Sequence, residues 1–99
     1  MKYVLHPAAF DDLTDAASWY VAHGSEVVGQ AFISEFERVT RLLMDNPELG
    51  MKTVAKARRF AMRRFPFFVI YRIFPDRFFV IAIAHQRRRP GFWRNRVFS

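Results

Sequence analysis

The chain is expected to fold as one α+β domain: an opening strand, an antiparallel two-helix hairpin, three antiparallel strands and a basic tail. Three observations predict this. Apolar residues recur at three- and four-residue steps through residues 7–46, and at two-residue steps between Arg58 and Ala84. Breaks fall between those segments, at His23-Gly24, Asn46-Pro47, Phe65-Pro66 and Phe74-Pro75-Asp76. A length of 99 residues, 52% hydrophobic and 17% aromatic, suffices for one core and not for two.

Lys2–Leu5 reads as the opening strand, completing a four-stranded sheet. Pro7 suits the first helical position, where its missing N–H has no helical partner to lose. Phe10, Leu13, Ala17, Tyr20 and Val21 then form an apolar stripe. Asp11, Asp12 and Asp15 lie off it as a solvated face near the end that the helix dipole favours for acids. Gly24 ends this helix and Ser25 caps the next. There the stripe is Val28, Phe32, Phe36, Val39 and Leu43, while Glu35, Glu37, Arg38 and Arg41 face away until Asn46-Pro47 stops the helix. The short connection and facing stripes predict a helical hairpin.

The period then changes. Phe60 and Met62 alternate with Arg59, Ala61 and Arg63. Phe67, Val69, Tyr71 and Ile73 share one strand face, opposite Phe68, Ile70 and Arg72. Phe74-Pro75-Asp76-Arg77 has turn chemistry. Phe78 to Ala84 is apolar on both faces, which predicts a central strand. His85 to Arg96 is a basic tail with interleaved aromatics.

Charge divides the chain more sharply than its net +7 suggests. Residues 1–50 hold three basic and eight acidic side chains, net −5, whereas residues 51–99 hold thirteen basic and one acidic, net +12. Such a surface suits a polyanionic partner, and Arg, with its planar fork, favours phosphate and stacked bases over a diffuse lipid surface. Phe92 and Trp93, between Arg87–Arg89 and Arg94/Arg96, fit two readings equally. They form a stacking-plus-charge site for unpaired bases, or they fold back as core while Arg keeps an aromatic sheet soluble.

Several classes are excluded. Without cysteine there is no disulfide scaffold, Cys-based zinc site or thiol nucleophile. The longest uncharged apolar run is seven residues, against the roughly 20 needed to span a bilayer. The N-terminus turns acidic too early for a signal peptide. The expectation is a cytoplasmic protein with no membrane partner, metal or cofactor. The isolated glycines form no phosphate loop. Of the three histidines, His85 sits where the apolar strand meets the Arg cluster. It is either a general acid or base beside a phosphate site or a strand-end residue bonded to backbone.

Local stretches resemble, in matching order, the ParE/RelE toxins of bacterial type II toxin–antitoxin systems. They are Leu5-His6-Pro7-Ala8-Ala9 with Trp19-Tyr20, Asn46-Pro47-Glu48-Leu49-Gly50, Arg63-Arg64-Phe65-Pro66-Phe67 leading into Val69-Ile70-Tyr71-Arg72, and Ala84-His85-Gln86-Arg87-Arg88-Arg89-Pro90. The resemblance implies a growth-inhibiting toxin held by a cognate antitoxin, and it leaves two branches open. RelE-like members cleave mRNA on the ribosome without a metal, by attack of the 2′-OH on the adjacent phosphate. That reaction needs a proton acceptor, a proton donor and cations aimed at phosphorus. The basic positions of that cleft fall near Arg59 and Arg63 and at Arg87, but Phe68 stands where the third strand carries Arg, and Trp93 where the C-terminus carries Tyr.

Those departures favour the ParE-like branch, whose members poison DNA gyrase. Its target or nucleic-acid contacts are then expected at Arg59, Arg72, Arg88, Arg89, Trp93, Arg94 and Arg96, and its antitoxin contacts at Trp19, Phe92 and Trp93. The endonuclease alternative rests on His85 with Arg87, Arg63 and Arg64.

Overall fold

The computed structural model describes residues 1–96. Its elements run β1 (Lys2–Leu5), α1 (Pro7–His23), α2 (Glu26–Asp45), a 3-10 turn (Pro47–Leu49), β2 (Met51–Lys52), β3 (Arg58–Ala61), β4 (Phe67–Ile73) and β5 (Arg77–His85). The strands form one sheet in the order β1-β5-β4-β3-β2, with β1 parallel to β5 and the other pairs antiparallel. The α+β class and element order are as expected. The sheet gains a fifth strand because β2, only two residues long, is too short to carry a period.

Pro7 opens α1, and the side chain of His6 caps it by accepting the Ala8 N–H at 2.9 Å. The buried face of α1 is Ala9, Leu13 and Ala16, rotated from the expected stripe. Phe10 is 54% and Val21 42% exposed. Small residues win that face because α1 is hemmed in by a sheet below and a helix alongside. At Gly29 of α2, an added Cβ would overlap Val21 and approach the Ala17 carbonyl oxygen to 3.1 Å. No acid lies in the first turn of α1. In α2 the expected stripe holds, and Ser25 Oγ accepts the Val28 N–H at 3.3 Å.

Two cores sandwich the sheet. On one face Leu13, Phe32, Phe36, Val39 and Leu43 of the helices meet Val69, Tyr71, Phe78, Val80 and Ile83. On the other, Ala57, Ile70, Ile81, Ala82 and Ala84 lie under Trp93, with Phe68 and Phe92 at the margin. The central position predicted for the last strand follows from this: β5 runs between β1 and β4 and is covered on both faces. A bulge assists, since Ile70 pairs with Ala82 but Tyr71 with Val80. The extra residue, Ile81, joins Ala82 on the tail side.

The connection into the sheet is held by Tyr71. Its hydroxyl donates to Pro47 O and accepts the Gly50 N–H at 2.8 Å. Any Cβ at position 50 would overlap that hydroxyl, so the approach requires glycine. Between β2 and β3, Ala55 (φ 56°) and Lys56 (φ 59°) are both left-handed, and Ala57 N–H donates to Val54 O at 3.1 Å. Two-residue turns of this kind normally use Asn-Gly, and each L side chain there costs about 1–2 kcal/mol. Among the described residues no helix is long and apolar enough to cross a membrane.

Candidate functional site

The tail is tied to the body of the fold by Arg96. Arg96 Nη1 lies 2.6 Å from Asp12 Oδ2 and donates to Ile81 O at 2.8 Å, while its Nη2 reaches Asp12 Oδ1 at 3.2 Å. Asp12 also accepts the Ile83 N–H at 3.1 Å. The two side chains are only 17% and 12% exposed. Asp12 is therefore no part of a solvated helix face, and Arg96 is a clamp between α1, β5 and the tail rather than a presented contact.

The clamp seats the aromatics. Phe92 lies with the Arg88 guanidinium 3.8 Å and the Arg96 guanidinium 5.2 Å from its ring centre. Trp93 is 5% exposed in the second core. The core reading of the tail thus displaces the exposed-platform reading, and Trp93 presents no surface to a target or antitoxin in this conformation. Phe92 is half-buried.

Where α1 meets the end of the sheet, a groove of about 670 Å³ opens. Asp12, Asp15, Ala16, Trp19 and Tyr20 form its helix wall, and Pro66, Phe67, Ile83, His85 and Arg88 its sheet wall. Carboxylates stand on one side, cationic or ionisable groups on the other, and the floor is apolar. Desolvation raises the Tyr20 hydroxyl above its ordinary value. Trp19, 54% exposed, stacks on His23 with centroids 4.2 Å apart. A large aromatic held in one orientation on the rim of an apolar groove is a ready anchor for a partner.

His85 lines the same groove. It pairs with Phe67 across the ladder, and the rings meet edge-on at 5.1 Å. Its Nδ1 accepts the Arg87 N–H at 3.1 Å, which puts the proton of the neutral ring on Nε2. So held, the ring donates from Nε2 but has no lone pair there to take a proton. Gln86 N–H donates to Pro66 O at 2.8 Å, bringing the Arg63–Arg64 turn to the end of the sheet that carries His85 and Arg87.

Within that turn the backbone N–H of Arg63 donates to Glu35 Oε2 at 2.6 Å. Glu35 also grips Arg38 through two bonds of 2.7 Å, so it does not simply face away. The hydrogen bond from Arg38 is the main reason its carboxyl titrates below the ordinary value.

The expected target contacts are dispersed. The Arg59 guanidinium lies 4.8 Å over Phe68 on the tail face. Arg59, Arg88 and Arg89 surround a small cavity of about 70 Å³ under the tail. Arg72 lies over Phe74 near the opposite end of β4, and Arg94 is exposed. Sequence reasoning missed the roles of Asp12, Glu35, Lys52, Lys56 and Arg58. Asp12 stands in a cluster with Asp11 and Asp15, and no local pattern singles it out. Among the described residues no three His, Asp or Glu side chains converge as a metal site.

The fold recurs in a known structure. A solved structure described as the chromosomal ParDE TA system from P. aeruginosa matches with a TM-score of 0.76, covering 86% of this chain and 95% of that chain. At 17% identity the likeness is one of fold. No curated protein sequence matches. The sequence profile for the ParE toxin of type II toxin-antitoxin system, parDE, matches residues 3–90, stopping just short of the clamped aromatics. The chain belongs to the ParE toxin family of type II toxin–antitoxin systems.

Proposed function

We propose that this protein arrests growth by poisoning DNA gyrase, and that a cognate antitoxin neutralises it. The observation that carries the reading is the state of two positions at which the nuclease branch is expected to keep reacting groups. Phe68 lies beneath the Arg59 guanidinium, and Trp93 is packed into the second core. Neither can exchange a proton or stabilise a phosphorane. His85 is a weak substitute, because its Nδ1 is engaged by the Arg87 backbone. A positive surface with Phe and Trp at those two positions is better suited to binding than to proton transfer.

The groove beneath Trp19 suits the antitoxin. A segment with apolar residues flanked by opposite charges would lie in one direction only, its basic end against Asp15 and its acidic end against Arg88.

Purified protein should inhibit supercoiling by gyrase and accumulate cleaved DNA only when gyrase is present. Induced without antitoxin, it should cause filamentation and DNA damage before translation falls. Normal gyrase activity at micromolar toxin refutes the reading. Rapid mRNA cleavage that disappears in His85→Ala would establish the endonuclease instead.

A further inference from the structure

Lys52, Lys56, Arg58 and Arg72 line an open cavity of about 450 Å³ at the end of β3 and β4 remote from His85, with Glu48 the one carboxylate on its wall. Among the described residues Lys52, Lys56 and Arg58 form no ion pair. Two features set this cluster apart from a merely solubilising surface. Arg58 is fixed: its Nη1 donates to Glu48 O at 3.1 Å and to Gly50 O at 2.8 Å. Gly50 is in turn locked by the Tyr71 hydroxyl. A guanidinium held only by neutral carbonyls is oriented without losing its charge.

Lys56 occupies the second left-handed position of the β2–β3 turn, where Asn-Gly would be unstrained. That position delivers a cation to a cationic cavity, the kind of strained placement met at ligand sites. The lining also holds Thr53 but no aromatic side chain. With no aromatic platform for a nucleobase and Arg58 tied to two carbonyls, the lining favours recognition through phosphates.

We propose that this cavity is a phosphate clamp for two or more adjacent phosphates, as in a polyphosphate or a nucleic-acid backbone, read independently of base. It stands apart from the gyrase reading, since it requires neither that enzyme nor toxicity.

The test uses two probes on the full chain: inorganic tripolyphosphate followed by NMR, and a short DNA duplex followed by anisotropy across a salt series. Tripolyphosphate should shift resonances of residues 52–58 and of Arg72. Lys56→Gly removes both the cation and the strained side chain. It should raise Tm yet weaken tripolyphosphate binding about tenfold, a combination that a purely structural lysine does not give.

Four phosphate contacts contribute about 3.6 to the magnitude of the log affinity against log salt slope. The pair Lys52→Ala and Lys56→Ala should therefore lower that magnitude by about 1.8. Loss with both probes identifies a backbone clamp, and loss with tripolyphosphate alone identifies a site for free polyphosphate. Tripolyphosphate affinity unchanged in Lys56→Gly and in the double variant, or shifts confined to residues 87–94, overturns the proposal.

Discussion

Replacing Asp12 by Ala should release the tail. The substitution deletes the acceptor of the Ile83 N–H and of two Arg96 nitrogens. It leaves a guanidinium only 17% exposed, facing one carbonyl oxygen and no carboxylate. Removing one partner of a fully buried pair costs about 3–5 kcal/mol, and this pair keeps some contact with water, so about 2–3 kcal/mol is the reasonable share. The part-buried Ile83 N–H adds about 1 kcal/mol.

Undocking residues 91–96 relieves that penalty by letting Arg96 reach water, at the expense of the contacts of Phe92 and Trp93. The readout is therefore local as well as global. In a Trp19→Phe background Trp93 is the sole indole, and its emission should shift to the red in Asp12→Ala, with trypsin cutting at Arg94 sooner. If the tail stays docked instead, Tm falls by about 12–30 °C. The double variant Asp12→Ala with Arg96→Ala should be no worse than the more damaging single, since both remove one interaction. Wild-type Trp93 emission together with wild-type Tm in Asp12→Ala would refute the clamp.

Two further expectations concern stability. Glu35 titrates below its ordinary value of 4.5, so its contribution is complete above that pH and is lost as pH falls through the lower folded value. Tm of the wild type should hold from neutrality down to about pH 4.5 and then fall more steeply than that of Glu35→Gln; equal slopes in a thermal scan would count against the Glu35–Arg38–Arg63 network. Tyr71→Phe leaves the Gly50 N–H and the Pro47 carbonyl without their partner. It should cost about 2–3 kcal/mol in denaturant unfolding, and a loss below about 0.5 kcal/mol would show that water replaces the hydroxyl.

The parts of the fold legible in the sequence are those written in large apolar residues. Phe32, Phe36, Val39 and Leu43 announce the α2 face, and β5 announces itself as apolar on both sides. The face of α1 is obscured in the sequence because Ala9 and Ala16 give a weak hydrophobic signal while Phe10 and Val21 give a strong one. Close packing selects for size, which periodicity does not register. The site was harder still. Asp12 and Arg96 are 84 positions apart, and no local pattern pairs them. The strained turn at Ala55-Lys56 contradicts turn chemistry and was invisible for that reason.

The parallel pairing of β1 with β5, Lys2 opposite Arg77, has a consequence for how the toxin comes into being. The first strand to leave the ribosome has no neighbour until the last is made, and at about 5–20 residues per second that interval lasts several seconds. Throughout it, α1 and α2 have no completed sheet to cover. Translation aborted before Arg77 yields a fragment without the strand on which both cores are built. The finished fold thus arrives late and nearly all at once, only when the last strand takes its place between β1 and β4.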